Sequence, residues 1–261
     1  MTEPLRWRVR EDPPASAARN MAVDHALAVS LPSGMGVLRF YRWAAPTLSF
    51  GRNEPTEGRW STAALSSEGV EVVRRPTGGR AVLHHRELTY AVVVPAGGPG
   101  SMRGLYGRVN AALVRALRAF GVAAELAPRQ ARAAPPDAGP CFELPAEGEV
   151  VAGGAKLVGS AQVRLEGRLL QHGSILLADD QHRLGRLAAE PVSVSDGAVT
   201  SLERCLGRVP EVAELIEVLR PALAEGLGGD WHCADTEHTL GESLLTRLEA
   251  HYRSPTWIWR R

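Results

Sequence analysis

The chain has 261 residues, of which 44% are hydrophobic and 23% charged, and its formal net charge is +1. This length and apolar content are enough for a sizeable core, and the balanced charge argues against nucleic acid or a membrane surface as the main partner. The N-terminal MTEPLRWRVREDPP lacks an apolar targeting segment and no run of about 18 apolar residues occurs, so we expect a cytoplasmic protein.

The first 95 residues predict one helix and several strands. NMAVDHALAVSL (20–31) has apolar residues at helical spacing, with Asn20 as a plausible cap. Alternating or β-branched segments predict strands at 37–43, 47–52, 70–75 and 87–95.

A second helix and a long loop follow. Residues 101–121 form the clearest amphipathic pattern, with Ser101 as the cap and Gly121 as the terminator. The prolines and small residues of 127–140 predict an exposed loop that ends at Cys141.

The remainder predicts a β-rich middle and a helical end. GEVVAGG, AKLVGSAQVR and RLLQHGSILL read as strands with turns at Gly153–Gly154 and Glu166–Gly167, and the last third is helical. Strands mixed with flanking helices, without regular βαβ alternation, predict an α+β (mixed α/β) fold. We expect residues 1–261 to form a single domain without a separate accessory domain.

The segment RRPTGGRAVLHH (74–85) places two glycines directly after a strand. Such a turn allows a ligand to approach the backbone closely, and Arg75 and Arg80 supply charge suited to a carboxylate or phosphate. The pattern is neither a P-loop nor a GxGxxG motif. A hairpin turn with solvated arginines explains the segment equally well.

Cys141 stands in GPCFELP, at the end of the proline-rich loop, where a substrate could reach a thiolate. From this segment alone, a small apolar plug beside Phe142 is the simpler interpretation. Cys205 and Cys233 lack such a context, and the cysteine spacing indicates neither a zinc site nor a disulfide framework.

Lys156 is the only lysine of the chain, which has 30 basic residues. A lysine places a compact charge on a slim stem where a planar guanidinium would not fit. Its amine would point at the glycine turn if the two strands were neighbours. The alternative is a surface lysine that survived a general replacement by arginine.

His172 and Ser174 lie within an otherwise apolar strand, and His84 and His85 follow the glycine turn. Buried polar groups of this kind need partners, so a structural histidine is as consistent with the pattern as a catalytic base. No spacing indicates a metal site.

Taken together, RRPTGGRAVLHHRELTY, PCF, AKLVGSAQ and LQHGSILL resemble the family of lipoate–protein ligases and octanoyltransferases, whose catalytic domain is shared with biotin–protein ligases. The resemblance extends from NMAVDHAL to SPTWIWRR and so covers nearly the whole chain. It implies catalytic roles for Cys141 and Lys156. It also implies substrate contacts for Arg75, Thr77, Gly78, Gly79, Arg80, His84, Gly159, Ser160, Gln162 and His172.

The resemblance implies two alternative reactions. An octanoyltransferase moves octanoate from octanoyl-acyl carrier protein, through a cysteine thioester, to a lysine of a lipoyl-domain protein, and it needs no cofactor. The acceptors implied are the H protein of glycine cleavage and the E2 subunit of 2-oxoacid dehydrogenases. A lipoate–protein ligase instead uses ATP and magnesium to form lipoyl-AMP.

Cys141 favours the transferase, because ligases usually carry a residue such as Asn there. Ala91 in LTYA stands where many relatives have Ser, and SFGRNEP (49–55) resembles the ligase branch as much as the transferase branch. An amidotransferase acting on an already lipoylated protein would also use the cysteine. From a different class, a non-catalytic module that binds lipoyl domains would not need an intact Cys141–Lys156 pair.

Overall fold

An extended mixed β-sheet runs through the middle of the molecule. The computed structural model describes residues 3–96, 102–128, 147–190, 197–231 and 240–260. The described strands are β1 (Arg6–Glu11), β2 (Met35–Tyr41), β3 (Thr47–Phe50), β4 (Glu71–Arg74), β5 (Val82–His84), β6 (Glu87–Pro95), β7 (Ala124–Leu126), β8 (Val150–Ala152), β9 (Ala155–Leu165), β10 (Arg168–Leu176) and β11 (Asp230–Trp231).

Eight of these strands form the large sheet in the order β11-β1-β2-β6-β10-β9-β8-β7. The pairs β11–β1 and β1–β2 are parallel, and the remaining pairs are antiparallel. The other three strands form a small sheet in the order β4-β3-β5. The glycine turn connects β4 to β5 and therefore belongs to the small sheet.

Helices cover both sides of the large sheet. They are α1 (Ala17–Ser30), α2 (Thr62–Ser67), α3 (Met102–Ala119), α4 (Leu184–Leu187), α5 (Leu202–Leu206), α6 (Val212–Leu227), α7 (Glu242–Arg253) and α8 (Pro255–Ile258), with a 3-10 turn at Gln181–Arg183. Among the residues described, no helix combines the length and the apolar character needed to cross a bilayer.

The alternation of strand residues divides the core into two layers. On β6, Tyr90 and Val92 pack with α3 and α6, whereas Ala91 and Val93 pack with α1 and α7. This division follows from the two-residue period of a strand, which sends neighbouring side chains to opposite sides. A ligand site on this scaffold therefore faces one layer or the other.

The predicted α+β fold is confirmed, and most predicted elements are present within a few residues. The predicted cap of the first helix is wrong: Ser16 caps α1 by accepting a hydrogen bond from the backbone N–H of Arg19. Asn20 lies inside the helix and donates to the carbonyls of Ala15 and Arg42. Gly121, with φ of 92°, lies just after α3 and ends the helical region as predicted. Ser101, the predicted cap of α3, lies outside the described residues.

Candidate active site

The glycine turn is held in a tight arrangement against the end of β3. A Cβ atom on Gly51 would stand 1.8 Å from the carbonyl oxygen of Gly79, so only glycine fits there. The carboxylate of Glu54 accepts the backbone N–H of Gly51 and that of Ala81, each at 2.9 Å. These contacts leave Gly78 and Gly79 exposed at the surface, where backbone groups can face a ligand.

Arg75 is buried beneath this turn. Its guanidinium donates to the carbonyl of Gly78 at 3.0 Å, to that of Arg80 at 2.7 Å and to that of Ser49 at 2.8 Å. Arg75 therefore shapes the turn from within, by satisfying carbonyl groups that would otherwise be buried without partners. Its contact with a substrate stays a prediction, as do those of Thr77, Gly78, Gly79 and Arg80.

His84 lies at the centre of a buried polar cluster. Its Nε2 is 2.7 Å from the hydroxyl of Ser49, its Nδ1 is 2.7 Å from Glu87 Oε1, and its ring stacks on Trp43. Ser174 donates to the same Glu87 oxygen at 2.7 Å. Both ring nitrogens of His84 and the hydroxyl of Ser174 have partners, whereas Glu87 Oε2 is buried without one among the described residues. These contacts of His84 match a structural interpretation at least as well as a catalytic one.

His172 connects helix α1 to the glycine turn. Its Nε2 is 2.7 Å from Thr77 Oγ1, and its Nδ1 is 3.0 Å from Asp24 Oδ2. Burial lowers the pKa of His172, although Asp24 opposes this effect. The ring is therefore neutral, and the carboxylate partner assigns its proton to Nδ1, so that Nε2 accepts from Thr77.

Asp24 is ionised in spite of its complete burial. Burial raises the pKa of this carboxyl group. The Arg39 guanidinium, 2.6 Å away, and His172 together lower the pKa by more than burial raises it, so the pKa lies below its ordinary value. The hydroxyl of Tyr41 donates to it as well, at 3.0 Å. Sequence reasoning missed Asp24 because only the fold places it against a residue 148 positions away.

Lys156 lies at the start of β9 and is only 1% exposed. Its ammonium group donates to Glu149 and is 2.8 Å from both carboxylate oxygens. The sequence left open whether its strand neighbours the glycine turn. Strand β9 pairs with β8 and β10, whereas the turn belongs to the small sheet, so the two strands are not neighbours. Lys156 pairs with Val151, whose neighbours Val150 and Ala152 both pack in the layer under α3, so by strand alternation the side chain of Lys156 faces away from that layer.

Ser160 and Gln162 take part in a chain of hydrogen bonds on the α3 side of the sheet. Gln162 donates to Gln171 at 2.8 Å, Gln171 donates to the hydroxyl of Tyr90 at 3.1 Å, and that hydroxyl is 2.7 Å from Ser160. Burial raises the pKa of Tyr90 to about 12, so the phenol is neutral. Asn110 accepts from Ser160 at 3.4 Å.

The predicted residues thus fall into two groups on opposite sides of the large sheet. The registers Ala161–His172 and Ser160–Gly173 place His172 on the α1 side and Ser160 on the α3 side. Gly159 lies opposite Ser174, and its carbonyl oxygen would be 2.7 Å from a Cβ on Gly173.

Cys141 lies outside the described residues, but the chain on either side of it is anchored next to Lys156. Strands β7 and β8 pair, the backbone N–H of Ala127 donates to the carbonyl of Glu149 at 2.7 Å, and that of Gly148 donates to the carbonyl of Ala127 at 3.0 Å. The segment that carries Cys141 therefore leaves and re-enters the fold beside Glu149. Cys141 is six positions before Glu147 in the sequence.

Sequence reasoning also missed Glu149, although a signal for it exists. A two-residue turn at Gly153–Gly154 pairs Ala152 with Ala155 and Val151 with Lys156. That hairpin brings the residues just before β8 close to the lysine, and Glu149 is the carboxylate among them.

Comparison with known proteins agrees with this architecture. The model of the lipoyl protein ligase A/B catalytic domain family matches residues 16–224. The chain is 40% identical to Octanoyltransferase LipM of Kyrpidia tusciae over 98% of its length and 99% of that protein. It is 34% identical to Octanoyltransferase LipM of Carboxydothermus hydrogenoformans over 97% and 98% of the two chains.

Solved structures share the fold. A lipoate-protein ligase A bound with ATP superposes with a TM-score of 0.78 at 23% identity, over 99% of both chains. A bi-partite lipoate protein ligase of Thermoplasma acidophilum, solved with its E2 lipoyl domain, gives 0.74 at 21% identity, over 99% of this chain and 97% of that one.

Proposed function

Because the chain belongs to the lipoyl protein ligase A/B catalytic domain family, we propose that it acts as an octanoyltransferase on lipoyl-domain proteins. The observation that carries this proposal is the match, over nearly the whole chain, to proteins named as octanoyltransferases. The same match favours an acyltransferase over the ATP-dependent ligase. Cys141, the predicted nucleophile, is consistent with this choice.

The first half of the reaction loads the enzyme. The thiolate of Cys141 attacks the carbonyl carbon of the octanoyl thioester, the carbonyl oxygen gains the electron pair, and the C–S bond to the donor then breaks with the pair leaving on the donor sulfur. Lys156 stabilises the oxyanion by its positive charge. Because one thioester replaces another, this step is close to thermoneutral and needs neither ATP nor magnesium.

The second half transfers octanoate to an amine. The ε-amine of the acceptor lysine attacks the thioester carbon, and the Cys141 sulfur leaves. Formation of an amide from a thioester makes this step downhill. We assign octanoyl-acyl carrier protein as the donor, lipoyl domains of the H protein or of E2 as the acceptors, and the cytoplasm as the compartment.

The acyl tail requires an apolar slot. Burial of a methylene group contributes about 0.8 kcal/mol, so an eight-carbon tail contributes several kcal/mol of binding free energy. We assign the head of the acyl group to the exposed backbone of Gly78 and Gly79 and to Arg80, with Thr77, His84, Gly159, Ser160, Gln162 and His172 shaping the surroundings.

Loading of Cys141 tests the proposal. After incubation with octanoyl-acyl carrier protein, intact-mass spectrometry of the wild-type protein should show one octanoyl group, and the Cys141→Ser variant should show none on a thioester. Cys205→Ser is the matched control, because Cys205 is exposed and has no assigned role, and it should load as the wild type does. Full activity of Cys141→Ala with lipoate and ATP would contradict the transferase and support the ligase.

A further inference from the structure

We propose that Asp24 is a positioning residue for the glycine turn: through His172 it makes the Thr77 hydroxyl a hydrogen-bond donor, and so fixes how the turn is joined to the large sheet. The inference rests on the proposed octanoyl transfer, in which the turn holds the head of the acyl group. It gives a role in that reaction to a buried residue of helix α1 that acts through another side chain.

The glycine turn needs an anchor outside itself. Gly78 and Gly79 have no side chains to pack, and Gly79 has a φ of 93°, so this backbone can adopt many conformations at little cost. Thr77 directly precedes the two glycines, and its side chain is completely buried. Its hydroxyl oxygen lies 2.7 Å from Nε2 of His172 on β10. This bond joins the turn, which belongs to the small sheet, to the large sheet.

Asp24 decides which group donates in this bond. A neutral imidazole has one nitrogen that donates and one that accepts. Asp24 Oδ2 lies 3.0 Å from Nδ1 of His172, and an ionised carboxylate only accepts. The proton of the ring is therefore on Nδ1, Nε2 accepts, and the Thr77 hydroxyl donates. With the proton on Nε2 instead, the electron pair of Nδ1 would face those of the carboxylate.

Asp24 can act as a fixed reference because it is itself held on several sides. From strand β2, Arg39 donates to its Oδ1 at 2.6 Å and the hydroxyl of Tyr41 donates to its Oδ2 at 3.0 Å. Arg39 also donates to Asp12 at 2.6 Å. A buried polar network whose members are bonded in this way is rigid. Thr77 is thereby connected to β2 through α1 and β10.

The charged and titratable neighbours keep the ring in one protonation state. Burial lowers the pKa of His172, Arg75 and His84 lower it further, and Asp24 raises it by less, so the pKa lies below its ordinary value. The pKa of Asp24 is also below its ordinary value, because Arg39 and His172 outweigh the effect of burial. At neutral pH the pair is therefore a neutral ring beside a carboxylate, and one tautomer persists.

The arrangement predicts an effect on rate rather than on affinity. Burial of the acyl tail supplies the binding free energy, whereas the turn orients the reacting head. A displacement of about 1 Å at the reacting group costs about 100-fold in rate. Loss of the Asp24 carboxylate should therefore lower kcat for loading and leave KM within a few fold of the wild-type value.

The first experiment reads the tautomer and needs no substrate. Hydrogen–nitrogen correlation spectra of the full-length protein with isotopically labelled histidine show which ring nitrogen carries the proton, and the signal missing from His172→Gln identifies His172. In the wild type the proton should be on Nδ1. In Asp24→Asn the side-chain amide can donate to Nδ1, so the proton should be on Nε2.

The second experiment asks whether Asp24 acts through Thr77. Asp24→Asn and Thr77→Val should each lower kcat for loading from octanoyl-acyl carrier protein by about 100-fold, and the double variant should lose no more than either alone. Thr47→Val is the matched control, since Thr47 is equally buried and its hydroxyl donates to the carbonyl of Ala45 at 3.0 Å. It should load as the wild type does.

A further variant serves if Asp24→Asn fails to fold because Arg39 loses its counter-charge. Asp24→Asn combined with Arg39→Gln removes both charges of the pair together, which costs less than leaving one of them buried alone. This protein should also carry the His172 proton on Nε2 and show the same loss of kcat.

A wild-type proton on Nε2 would overturn the inference, as would a proton that stays on Nδ1 when Asp24 is replaced. A wild-type kcat after that replacement would overturn it too, and so would additive losses with Thr77→Val, because Asp24 would then act by another route. Failure of the wild-type protein to load would overturn the proposed function and the role of Asp24 in it. The tautomer spectra do not depend on loading, so they tell the two failures apart.

Discussion

At the scale of single residues, the most consequential feature is the buried series Asp24–His172–Thr77. It joins helix α1 to the glycine turn through a neutral imidazole. Because this histidine is harder to protonate in the folded protein than in the unfolded chain, the free energy of unfolding depends on pH. Below pH 6.5 the unfolded chain binds a proton at this histidine, while the folded protein resists it because burial lowers the pKa of His172.

We therefore expect stability to fall as the pH is lowered from 7 to 5. Because the unfolded state binds more protons in this window, the free energy of unfolding decreases with falling pH, by at most about 1.4 kcal/mol per pH unit for one group. His172→Gln removes this contribution, so the variant should lose less stability than the wild type over the same interval. Urea denaturation at pH 7, 6 and 5 measures the difference.

His182→Gln serves as the control, since His182 is exposed. It should follow the pH dependence of the wild type, and the contributions of His25 and His251, whose pKa values burial also lowers, are the same in all three proteins. Parallel curves for the wild type and His172→Gln would show that His172 titrates alike in the folded and unfolded states.

Several of these residues could be singled out from the sequence, because of their residue type and position. The residues they contact could not be predicted. The glycine pair, His84, His172 and Lys156 stand out as polar or conformationally special residues in apolar surroundings. Asp24 lies on the same helix pattern as its apolar neighbours, and its partners Arg39 and His172 are brought to it only by sheet pairing. Non-local contacts of this kind leave no signature in local spacing.

At the scale of elements, Arg74 at the end of β4 connects helix α8 to the segment that follows β3. Its guanidinium donates to the carbonyls of Gly51 and Glu54 at 2.7 and 2.8 Å, and to that of Ile258 in α8 at 2.9 Å. Trp257 donates in return to the carbonyl of Arg74 at 2.8 Å. Burial lowers the pKa of Arg74 to about 10, so it stays charged at neutral pH.

Arg74→Met should destabilise the protein by at least about 3 kcal/mol. The methionine fills much of the space of the stem, but several buried carbonyls lose their donor, at a cost of about 1–3 kcal/mol each before relaxation. The midpoint of urea denaturation reports the change. Arg253→Met removes only a surface ion pair with Glu249 and should shift the midpoint little, whereas similar shifts for both variants would contradict the role of Arg74.

The elements themselves were predicted with uneven success, for physical reasons. Helix α3 and strand β6 have strong periodicity, and both were predicted within one or two residues. Strand β1 was missed because Arg-Trp-Arg-Val-Arg-Glu reads as a polar start; Trp7 buries itself against Trp231 only when β11 pairs with β1. Strand β11 and helix α2, of two and six residues, offered too little pattern to predict, whereas the four-residue strands β3 and β4 were predicted within one or two residues.

At the scale of the whole molecule, the two core layers share the same strands. On β10, Leu169 belongs to the layer under α3 and α6, and the adjacent Leu170 belongs to the layer under α1 and α7. If one layer is lost, one face of these strands becomes unpacked. The other layer packs on the opposite face of the same strands, so it is destabilised as well. We therefore expect the single domain predicted from the sequence to unfold as one unit.

Tryptophan fluorescence and far-ultraviolet circular dichroism test this in urea. Trp7 reports the layer under α3, Trp43 reports the layer under α1, and Trp60 and Trp259 report the small sheet. Coincident transitions from both probes are expected. Two separate transitions would mean that the small sheet or the helical end of the chain forms an independent unit.

The sole lysine of the chain has a consequence for an enzyme that carries an activated acyl group. Lys156 is buried and bound to Glu149, so the protein surface offers no flexible ε-amine that could intercept the octanoyl group. Self-acylation on lysine is thereby avoided without any dedicated shield. In a mixture of enzyme and acceptor, octanoyl-lysine recovered after digestion comes from the acceptor unless it lies in the peptide that contains Lys156.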